Sequence, residues 1–336
     1  MHMANEVLSP TVAYAFIGVS AAGLGAAAAL ARRTFHESKV PLMGVMGAFV
    51  FAAQMVNFPV LGGTSGHLGG GVLLAILLGP HVTALVMAAI LTVQCLVFAD
   101  GGLLALGCNI VNMGIVGPYA GYAIYRAILG RAEGQKSVGR LYLASFAGAL
   151  VGVAASSAAV PVQIALSGRS AVPFSTFFPL MVGVHLLIGA VEGLVTFAVL
   201  AYLVQVRPDV LDVQLPGRER LSRRAVAGSI GVFALLVGGL LSLVASGLPD
   251  GLDWLSETKE YVKPAETAHP AMVRASEAQA KLAPLPDYGA GKDAPSYWTS
   301  VSGILGTLAT LAIVYLIALA VRRRAPAHAH PHPHSH

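Results

Sequence analysis

Long apolar runs separated by short polar segments dominate the hydropathy pattern of this chain. A helix needs about 20 apolar residues to cross the roughly 30 Å hydrocarbon core of a bilayer. Nine runs are candidates, and the third is the shortest: Thr11–Ala31, Val40–Val60, Leu68–Gly79, His81–Phe98, Leu103–Ile128, Leu141–Ala165, Phe177–Val206, Ala225–Ser246 and Ser300–Val321. The pattern predicts an all-α integral membrane protein, with seven helices in a first block and two further transmembrane helices.

The polar interruptions divide the chain into four parts. A basic, proline-containing segment at 207–224 separates a membrane domain at 1–206 from a two-helix part at 225–321. The two-helix part encloses the only long hydrophilic stretch, at 247–298, which is expected to be an extracytoplasmic loop. The tail at 322–336 is rich in histidine, alternating with Ala, Pro and Ser, and cannot bury a core. It is interpreted either as a metal buffer or as an inert remnant.

Composition and charge narrow the class of protein and its orientation. Hydrophobic residues make up 56% and charged residues 11% of the chain, against about 25% charged in soluble domains. This excludes a soluble enzyme, a disordered chain and a disulfide scaffold. With the N-terminus outside and the C-terminus cytoplasmic, fifteen of the 21 Lys and Arg residues lie in inner loops, as the positive-inside rule requires. The net charge of +5 therefore indicates attraction to anionic membrane lipid, and no nucleic-acid partner is expected.

The first two residues carry a chelating pattern. The α-amine of Met1, the amide nitrogen of His2 and the His2 imidazole can supply three nitrogens in one plane. This donor set suits Ni(II) or Cu(II), with Co(II) as an alternative, whereas Zn(II) prefers a tetrahedron. His67, in the glycine-rich stretch 61–71 on the same predicted face, is a candidate fourth ligand. The alternatives are an incidental histidine in a disordered terminus and another in a glycine turn.

Several motifs resemble one known family. They are Met1-His2-Met3, Leu8-Ser9-Pro10, Pro41–Val45, Phe51–Pro59, Gly62–Leu68, Gly107–Gly114 and Gly117-Pro118. They resemble the NikM/CbiM substrate-binding components of energy-coupling factor (ECF) transporters for nickel and cobalt, over roughly Met1–Val206. The resemblance implies a seven-helix S-component bundle into which the N-terminal segment folds back. It also implies a planar metal site made by the Met1 amine, the His2 amide and imidazole, and His67.

The second part resembles the NikN-like components of the same transporters. Pro249-Asp250-Gly251-Leu252-Asp253 is similar to their PDGLE motif, with Asp253 where Glu is usual. The whole chain is thus interpreted as an M–N fusion. The resemblance implies that the 247–298 loop helps metal loading and approaches the metal site, whereas the alternative is a passive solvated linker.

Other polar residues are expected around the site. Four of them lie near the predicted outer end of the bundle, either supporting the ligands or making ordinary interhelical hydrogen bonds: Thr64, Ser65, Asn109 and Asn112. His185 and Glu192 are seven residues apart, hence on one helical face within the membrane. A role in conformational coupling or in inter-helix pairing is predicted for this pair in preference to metal ligation.

These features predict the substrate-specific subunit of an importer in the cell's inner (cytoplasmic) membrane. No P-loop motif is present, so ATP hydrolysis is expected on two separate NikO/CbiO-like ATPases, with a NikQ/CbiQ-like coupling subunit as partner. The small residues at 20–29 suit helix docking against that subunit or internal packing. Ni(II) is the preferred transported ion over Co(II), no fixed cofactor is expected, and the chain itself is predicted not to be an enzyme. An ATP-independent carrier, a membrane enzyme and a non-metal binder remain the rival classes.

Overall fold

The computed structural model describes residues 2–60, 62–130, 138–206, 222–263, 269–291 and 295–322 of the chain. Met1 lies outside the described residues, as do most of the predicted linker at 207–224 and all but the first residue of the tail at 322–336. The expectations for those segments stay predictions.

The first block is built almost entirely of helices. They are α1 (Pro10–Thr34), α2 (Val40–Gln54), α3 (Gly71–Leu78), α4 (Pro80–Phe98), α5 (Leu106–Asn109), α6 (Gly117–Leu129), α7 (Val138–Leu166) and α8 (Phe174–Val206). A π-helical turn at Ile110–Val116 connects α5 to α6, and 3-10 turns precede α1 and α2 at Asn5–Val7 and Glu37–Lys39. Ser9 caps α1 by accepting a hydrogen bond from the Val12 amide, and Pro10 occupies the first position of the helix, where no amide donor is needed.

The second block contains two long helices, α9 (Arg223–Gly239) and α12 (Tyr297–Val321), with a folded segment between them. This segment contains the shorter helices α10 (Gly251–Asp253) and α11 (Pro270–Leu282). Shorter turns lie at Leu241–Val244, Trp254–Thr258 and Pro286–Tyr288. The predicted extracytoplasmic loop therefore has helical structure of its own.

Six helical stretches of the described chain are long and apolar enough to cross a membrane. They are α1, α4, α7, α8, α12 and the stretch Arg224–Val244 that begins with α9. The other three predicted runs are shorter or interrupted: α2 has 15 residues and α3 has 8, and the fifth run is divided by the π-helical turn. All nine runs contain helix, but length and composition support only six as complete spans.

A short β-hairpin interrupts the mostly helical fold. Strand β1 (Phe58–Val60) pairs antiparallel with β2 (Thr64–Gly66), with Phe58 opposite Gly66. Residues before proline avoid the helical region, so Pro59 favours an extended Phe58 and the second run stops being helical at Gln54 instead of Val60. Gly62 and Gly63 close the turn with φ values of 93° and 84°, which side-chain-bearing residues rarely adopt.

Helices pack closely within each block and also between the two blocks. In the first block α7 packs along both α6 and α8. A Cβ atom on Gly121 would lie 2.6 Å from the Gly148 carbonyl oxygen, so these backbones touch. In the second block α9 and α12 pack on each other and on α2. The segment between them folds back over one end of the first block, where α2 and α4 end and where the N-terminal residues lie.

Candidate metal-binding site

The N-terminal segment is anchored inside the bundle. Met3 and Leu8 are completely buried. The Asn109 side-chain amide pairs with both backbone groups of Met3: its Oδ1 accepts from the Met3 amide at 2.8 Å and its Nδ2 donates to the Met3 carbonyl at 3.2 Å. The Gly102 amide donates to the same carbonyl at 2.8 Å. These bonds fix the residue that follows His2, and so place His2 itself.

The structure brings the two predicted histidine ligands together. The rings of His2 and His67 stack with centroids 5.2 Å apart and an angle of 18° between their planes. Both side chains are buried. His2 Nε2 lies 3.1 Å from Gln94 Oε1, and His2 Nδ1 lies 3.1 Å from Asp100 Oδ1. The spacing of the rings is short enough for both to bind one ion.

His67 sits in a loop whose backbone is tied to three helices. The carboxylate of Glu192, on α8, accepts hydrogen bonds from the Gly69 and Gly70 amides at 2.6 and 3.1 Å. Gln54, the last residue of α2, donates to the Gly69 carbonyl at 2.7 Å. Gly70 has a φ of 70° and leads into α3, and a Cβ there would meet Val50 at 2.6 Å. Only glycine fits this position, and the loop is rigidly held.

A backbone carbonyl sets the protonation of the His67 ring. His67 Nδ1 lies 3.1 Å from the Leu68 carbonyl oxygen, which can only accept a hydrogen bond. Nδ1 therefore carries the proton in the neutral ring, and the lone pair is on Nε2. Orientation of a ligand imidazole through its other nitrogen is the common arrangement in metal sites.

Burial keeps both imidazoles neutral. It lowers the pKa of His67 to about 3 and also lowers the pKa of His2, against the opposing effect of the Asp100 carboxylate. At pH 7 both rings are therefore uncharged. The neutral ring is the form that binds metal ions, because protonation removes the ligand lone pair.

The segment between α9 and α12 covers the hairpin that precedes His67. The Ser65 amide and hydroxyl donate to the carbonyls of Pro249 and Leu248, at 2.8 and 2.7 Å. The Thr64 hydroxyl donates to the Pro249 carbonyl at 3.0 Å. The predicted supporting residues Thr64 and Ser65 thus bind the C-terminal part of the chain through its Pro-Asp-Gly motif.

The same segment holds the loop that carries Asp100. Tyr288 donates its hydroxyl to Asp100 Oδ2 at 2.6 Å, so this carboxylate is fixed between Tyr288 and His2. Gln279, buried on α11, donates to the carbonyls of Gly101 and Cys95 at 2.6 and 3.0 Å, and its Oε1 accepts from the Leu103 amide at 3.1 Å. A single side chain from the second block therefore clamps the loop after α4.

A cavity of about 390 Å³ adjoins the two imidazoles and is lined by residues of both blocks. His2, His67 and Gln54 line one side of it. Four aspartates line it as well: Asp100, Asp250, Asp253 and Asp287. Burial, reinforced by the neighbouring Asp250, raises the pKa of Asp253 to about 7. A concave, acidic surface concentrates cations in front of the imidazoles.

Comparison with known proteins identifies the family. The family model of CbiM, described as the cobalt uptake substrate-specific transmembrane region, matches residues 2–210. The chain belongs to the CbiM family. A second model, the PDGLE domain, matches residues 224–323, so the resemblance of both parts is confirmed.

Relatives share this organisation. A protein of Archaeoglobus fulgidus named as a fused nickel transport protein, NikMN, is 34% identical over 96% of this chain and 99% of its own length. The fused nickel transport protein NikMN of Rhodobacter capsulatus is 33% identical over 87% of this chain and 90% of its own length. A solved structure of a truncated transition metal transporter superposes with a TM-score of 0.54 at 32% identity, covering 61% of this chain and 98% of its own. Together with its apolar helices, this similarity makes the CbiM-family chain a multi-pass membrane transport protein.

The remaining predicted residues of this CbiM-family chain are buried near the site. Asn112, within the π-helical turn, exchanges two hydrogen bonds with Gln163, at 2.8 and 2.7 Å, and its Nδ2 lies 3.8 Å from Met3 Sδ. His185 Nδ1 lies 2.8 Å from the Met181 carbonyl. His185 also lines a small cavity together with His67 and Asp250. His185 and Glu192 are both buried on α8, and only Glu192 bonds to the His67 loop.

Side chains alone do not complete a metal site. No group of three or more His, Cys, Asp or Glu residues within the described part of the chain is arranged to hold a metal ion. The two imidazoles need further donors, and the predicted site takes these from the Met1 amine and the His2 amide nitrogen. Met1 is outside the described residues.

Sequence reasoning missed five residues that position the site. They are Gln54, Gln94, Asp100, Gln279 and Tyr288. Two of them carried a signal, because Gln54 and Gln94 are uncharged polar residues near the same predicted end of two apolar runs. Asp100 lies in the short loop that follows the run containing Gln94. Gln279 and Tyr288 lie in a polar segment in which no pattern distinguishes them.

Proposed function

We propose that this CbiM-family protein captures Ni(II) at an outward-facing site and delivers it to an ATP-driven importer of the ECF type. The observation that carries the proposal is the stacked, buried pair of neutral imidazoles, His2 and His67, at the base of an acidic cavity. Neutral ring nitrogens that are held in place bind metal well, and the acidic rim attracts the hydrated cation.

The proposed ligand set contains four nitrogens. The Met1 amine, the His2 amide nitrogen and His2 Nδ1 form adjoining chelate rings, and His67 Nε2 is the fourth donor. The hydrogen bond from His67 Nδ1 to the Leu68 carbonyl supports Nε2 as that donor. Asn109 supports the set indirectly, since it holds the Met3 backbone next to the chelating residues.

Nickel is the proposed ion, with Co(II) as the alternative. A planar set of nitrogen donors suits Ni(II). The two fused relatives that match most of this chain are named as nickel transport proteins. A protein of Methanosphaerula palustris named as a cobalt transport protein, CbiM 2, is 33% identical over only 59% of this chain. The fused organisation therefore favours nickel.

The proposed partners are a NikQ/CbiQ-like coupling subunit and two NikO/CbiO-like ATPases. Helix α1 supports docking of a membrane partner, because its small residues Ala22, Gly25 and Ala29 are exposed and a Cβ on Gly25 would meet no atom within 4 Å. Small residues let helices approach closely in lipid. Uptake by the purified chain alone in proteoliposomes, driven by an ion gradient, would instead establish the ATP-independent carrier.

A competitive titration tests the metal site directly. The full chain is titrated with Ni(II) and with Co(II) against a chelator that outcompetes the tail histidines, and the visible absorption is recorded. We expect one tight equivalent of Ni(II) with a square-planar spectrum. Placing Gly-Ser ahead of Met1 moves the amine away from His2 and should abolish that equivalent, whereas His36→Ala, which removes an exposed histidine elsewhere, should not. A tight equivalent that survives the Gly-Ser extension would refute the proposed ligand set.

A further inference from the structure

A row of side-chain amides connects the two segments that carry the histidines. Gln54 Nε2 donates to the Gly69 carbonyl at 2.7 Å, beside His67 in sequence. Gln94 Nε2 donates to Gln54 Oε1 at 2.8 Å. Gln94 Oε1 then lies 3.1 Å from His2 Nε2. Both glutamines are buried, with 4% and 0% of their surface exposed.

The hydrogen bonds along this row all point the same way, and the Gly69 carbonyl sets that direction. A carbonyl oxygen only accepts hydrogen bonds, so Gln54 must present its NH2 group to Gly69 and its oxygen to Gln94. Gln94 must then present its own NH2 group to Gln54 and its oxygen to His2. Its oxygen can be satisfied only by a donor, and the group that faces it is His2 Nε2, so a proton on Nε2 completes the row.

The consequence is a lone pair on His2 Nδ1. Nδ1 is the ring nitrogen nearer the backbone, so it can close a small chelate ring with the amide nitrogen of the same residue, and Nε2 cannot. Chelation through the backbone thus requires the tautomer that the amide row imposes. His67, whose Nδ1 is protonated toward Leu68, carries the opposite tautomer, and each ring presents its lone pair from a different atom.

The opposite tautomer of His2 has a strong competitor. Asp100 Oδ1 lies 3.1 Å from His2 Nδ1, and the carboxylate is itself held by Tyr288. Without a constraint on Nε2, a proton on Nδ1 would make a charge-assisted bond to Asp100 and block the chelating nitrogen. With the proton on Nε2, the Nδ1 lone pair and the Asp100 carboxylate face the same position. A divalent cation at that position stabilises this arrangement.

We propose that Gln54 and Gln94 form a directional amide relay that fixes His2 in its metal-binding tautomer. They are positioning residues, since neither supplies a donor to the ion. The relay rests on the proposed function, which makes His2 Nδ1 a ligand. It also links the His67 loop to His2, so that both ligand segments are set by one chain of bonds.

The test reads the tautomer in the metal-free protein. The full chain, labelled with nitrogen-15 histidine and reconstituted in lipid nanodiscs, gives the two ring-nitrogen shifts of His2, assigned by their loss in His2→Asn. We expect Nε2–H in the wild type. In Gln54→Met, a change that leaves the direct neighbour of His2 in place, the Gln94 amide is released and His2 should shift toward Nδ1–H. Gln94→Met should do the same, whereas Gln94→Glu keeps an acceptor and should retain Nε2–H.

The same variants are then titrated with Ni(II). We expect about tenfold weaker binding for Gln54→Met and Gln94→Met, the range found when groups that orient metal ligands are removed. Thr83→Val is the matched control, because Thr83 is also buried on α4 and its hydroxyl bonds within its own helix end, to Gly79. It should change neither tautomer nor affinity.

Three outcomes distinguish failure of the relay from failure of the metal site. If Gln54→Met and Gln94→Met both keep His2 fully as Nε2–H, the relay is wrong, whatever their affinity. If the wild type binds no Ni(II) tightly, the proposed function fails, while the tautomer measurement still decides the relay. A variant that lost affinity with an unchanged tautomer would be acting through packing, and would also overturn the relay.

Discussion

Two regions of this CbiM-family protein meet at the imidazoles and hold them by different means. The ligand-bearing loops, residues 2–5 and 64–70, are held beside the imidazoles mainly by buried side chains of the first block, those of Gln54, Gln94 and Glu192. Their outer part, at Thr64 and Ser65, also bonds to the carbonyl of Pro249. The covering segment, residues 246–291, belongs to the PDGLE part. It contributes carboxylates, the Tyr288 hydroxyl and the Gln279 amide around the rim.

The difference separates two tasks. Amides inside a bundle bond strongly in the low dielectric and set atom positions without adding charge. Carboxylates around an open cavity attract a cation but do not fix it. We therefore expect the loss of a ligand from the ligand-bearing loops to weaken metal binding most. Changes in the covering segment, and changes that leave the ligands in place, should weaken it less.

Removal of the His67 ligand should have the largest effect. His67→Ala leaves three of the four proposed nitrogens, and a quarter of a typical binding energy of about 12 kcal/mol corresponds to about 100-fold weaker affinity. The measurement is a competitive Ni(II) titration of the full chain. His36→Ala, at an exposed histidine outside both regions, is the control and should bind normally. Unchanged affinity in His67→Ala would place the fourth donor elsewhere and end the distinction between the two regions.

Loss of Gln279 is the strongest change expected from the covering segment. Gln279→Leu leaves the carbonyls of Gly101 and Cys95 and the Leu103 amide without their partner, so the loop carrying Asp100 should loosen. We expect about tenfold weaker Ni(II) binding, as for other groups that support metal ligands.

The control for Gln279 lies on the same helix. Glu277→Ala changes an exposed residue of α11 and should leave affinity and thermal stability unchanged. Limited proteolysis of residues 99–104 should be faster in Gln279→Leu alone. If binding stayed normal while proteolysis rose, the clamp would be structural and the covering segment would not tune the site.

Much of the architecture could be predicted from the sequence, because the thickness of the bilayer sets the length of the apolar runs that cross it. Each predicted run contains a helix, and the imidazoles of His2 and His67 were expected together and are found stacked. The hairpin at Phe58–Gly66 was not expected, because its first strand, Phe58–Val60, continues an apolar run. Its conformation is set locally by Pro59 and by the turn glycines, which hydropathy does not register.

The partners of the histidines could not be predicted in the same way. Gln279 reaches Gly101 across 178 positions in sequence, and Tyr288 reaches Asp100 across 188. Such contacts depend on how a polar segment folds back over the bundle. Polarity alone does not show which residues of that segment meet which residues of the bundle. Thr64 and Ser65 show the converse, since their position near the site was anticipated but their bonding to Pro249 was not.

The Tyr288 hydroxyl should have a smaller effect than the Gln279 clamp. Tyr288→Phe removes one hydrogen bond to Asp100 and keeps the ring, which stacks on Phe98 at 4.6 Å. Because one such bond to a charged group contributes about 1.5 kcal/mol at the low end, and only part of that reaches the metal, we expect roughly fivefold weaker Ni(II) binding. Tyr297→Phe, an exposed tyrosine of α12, is the matched control for the titration. A Tyr288→Phe affinity equal to wild type would mean that Asp100 is held without the PDGLE part.

The mildest expected change sharpens the comparison most, since it alters a ligand-bearing loop without touching a ligand. Glu192→Gln preserves size but replaces one acceptor of the Gly69 and Gly70 amides by an NH2 group, so one amide loses its partner. Gln54 still holds the Gly69 carbonyl, and we therefore expect only about threefold weaker Ni(II) binding. Thr196→Val, one turn further along α8 and equally buried, provides the control titration. If Glu192→Gln instead abolished binding, α8 would be setting the position of His67 directly, and the coupling role predicted for this helix would gain its physical basis.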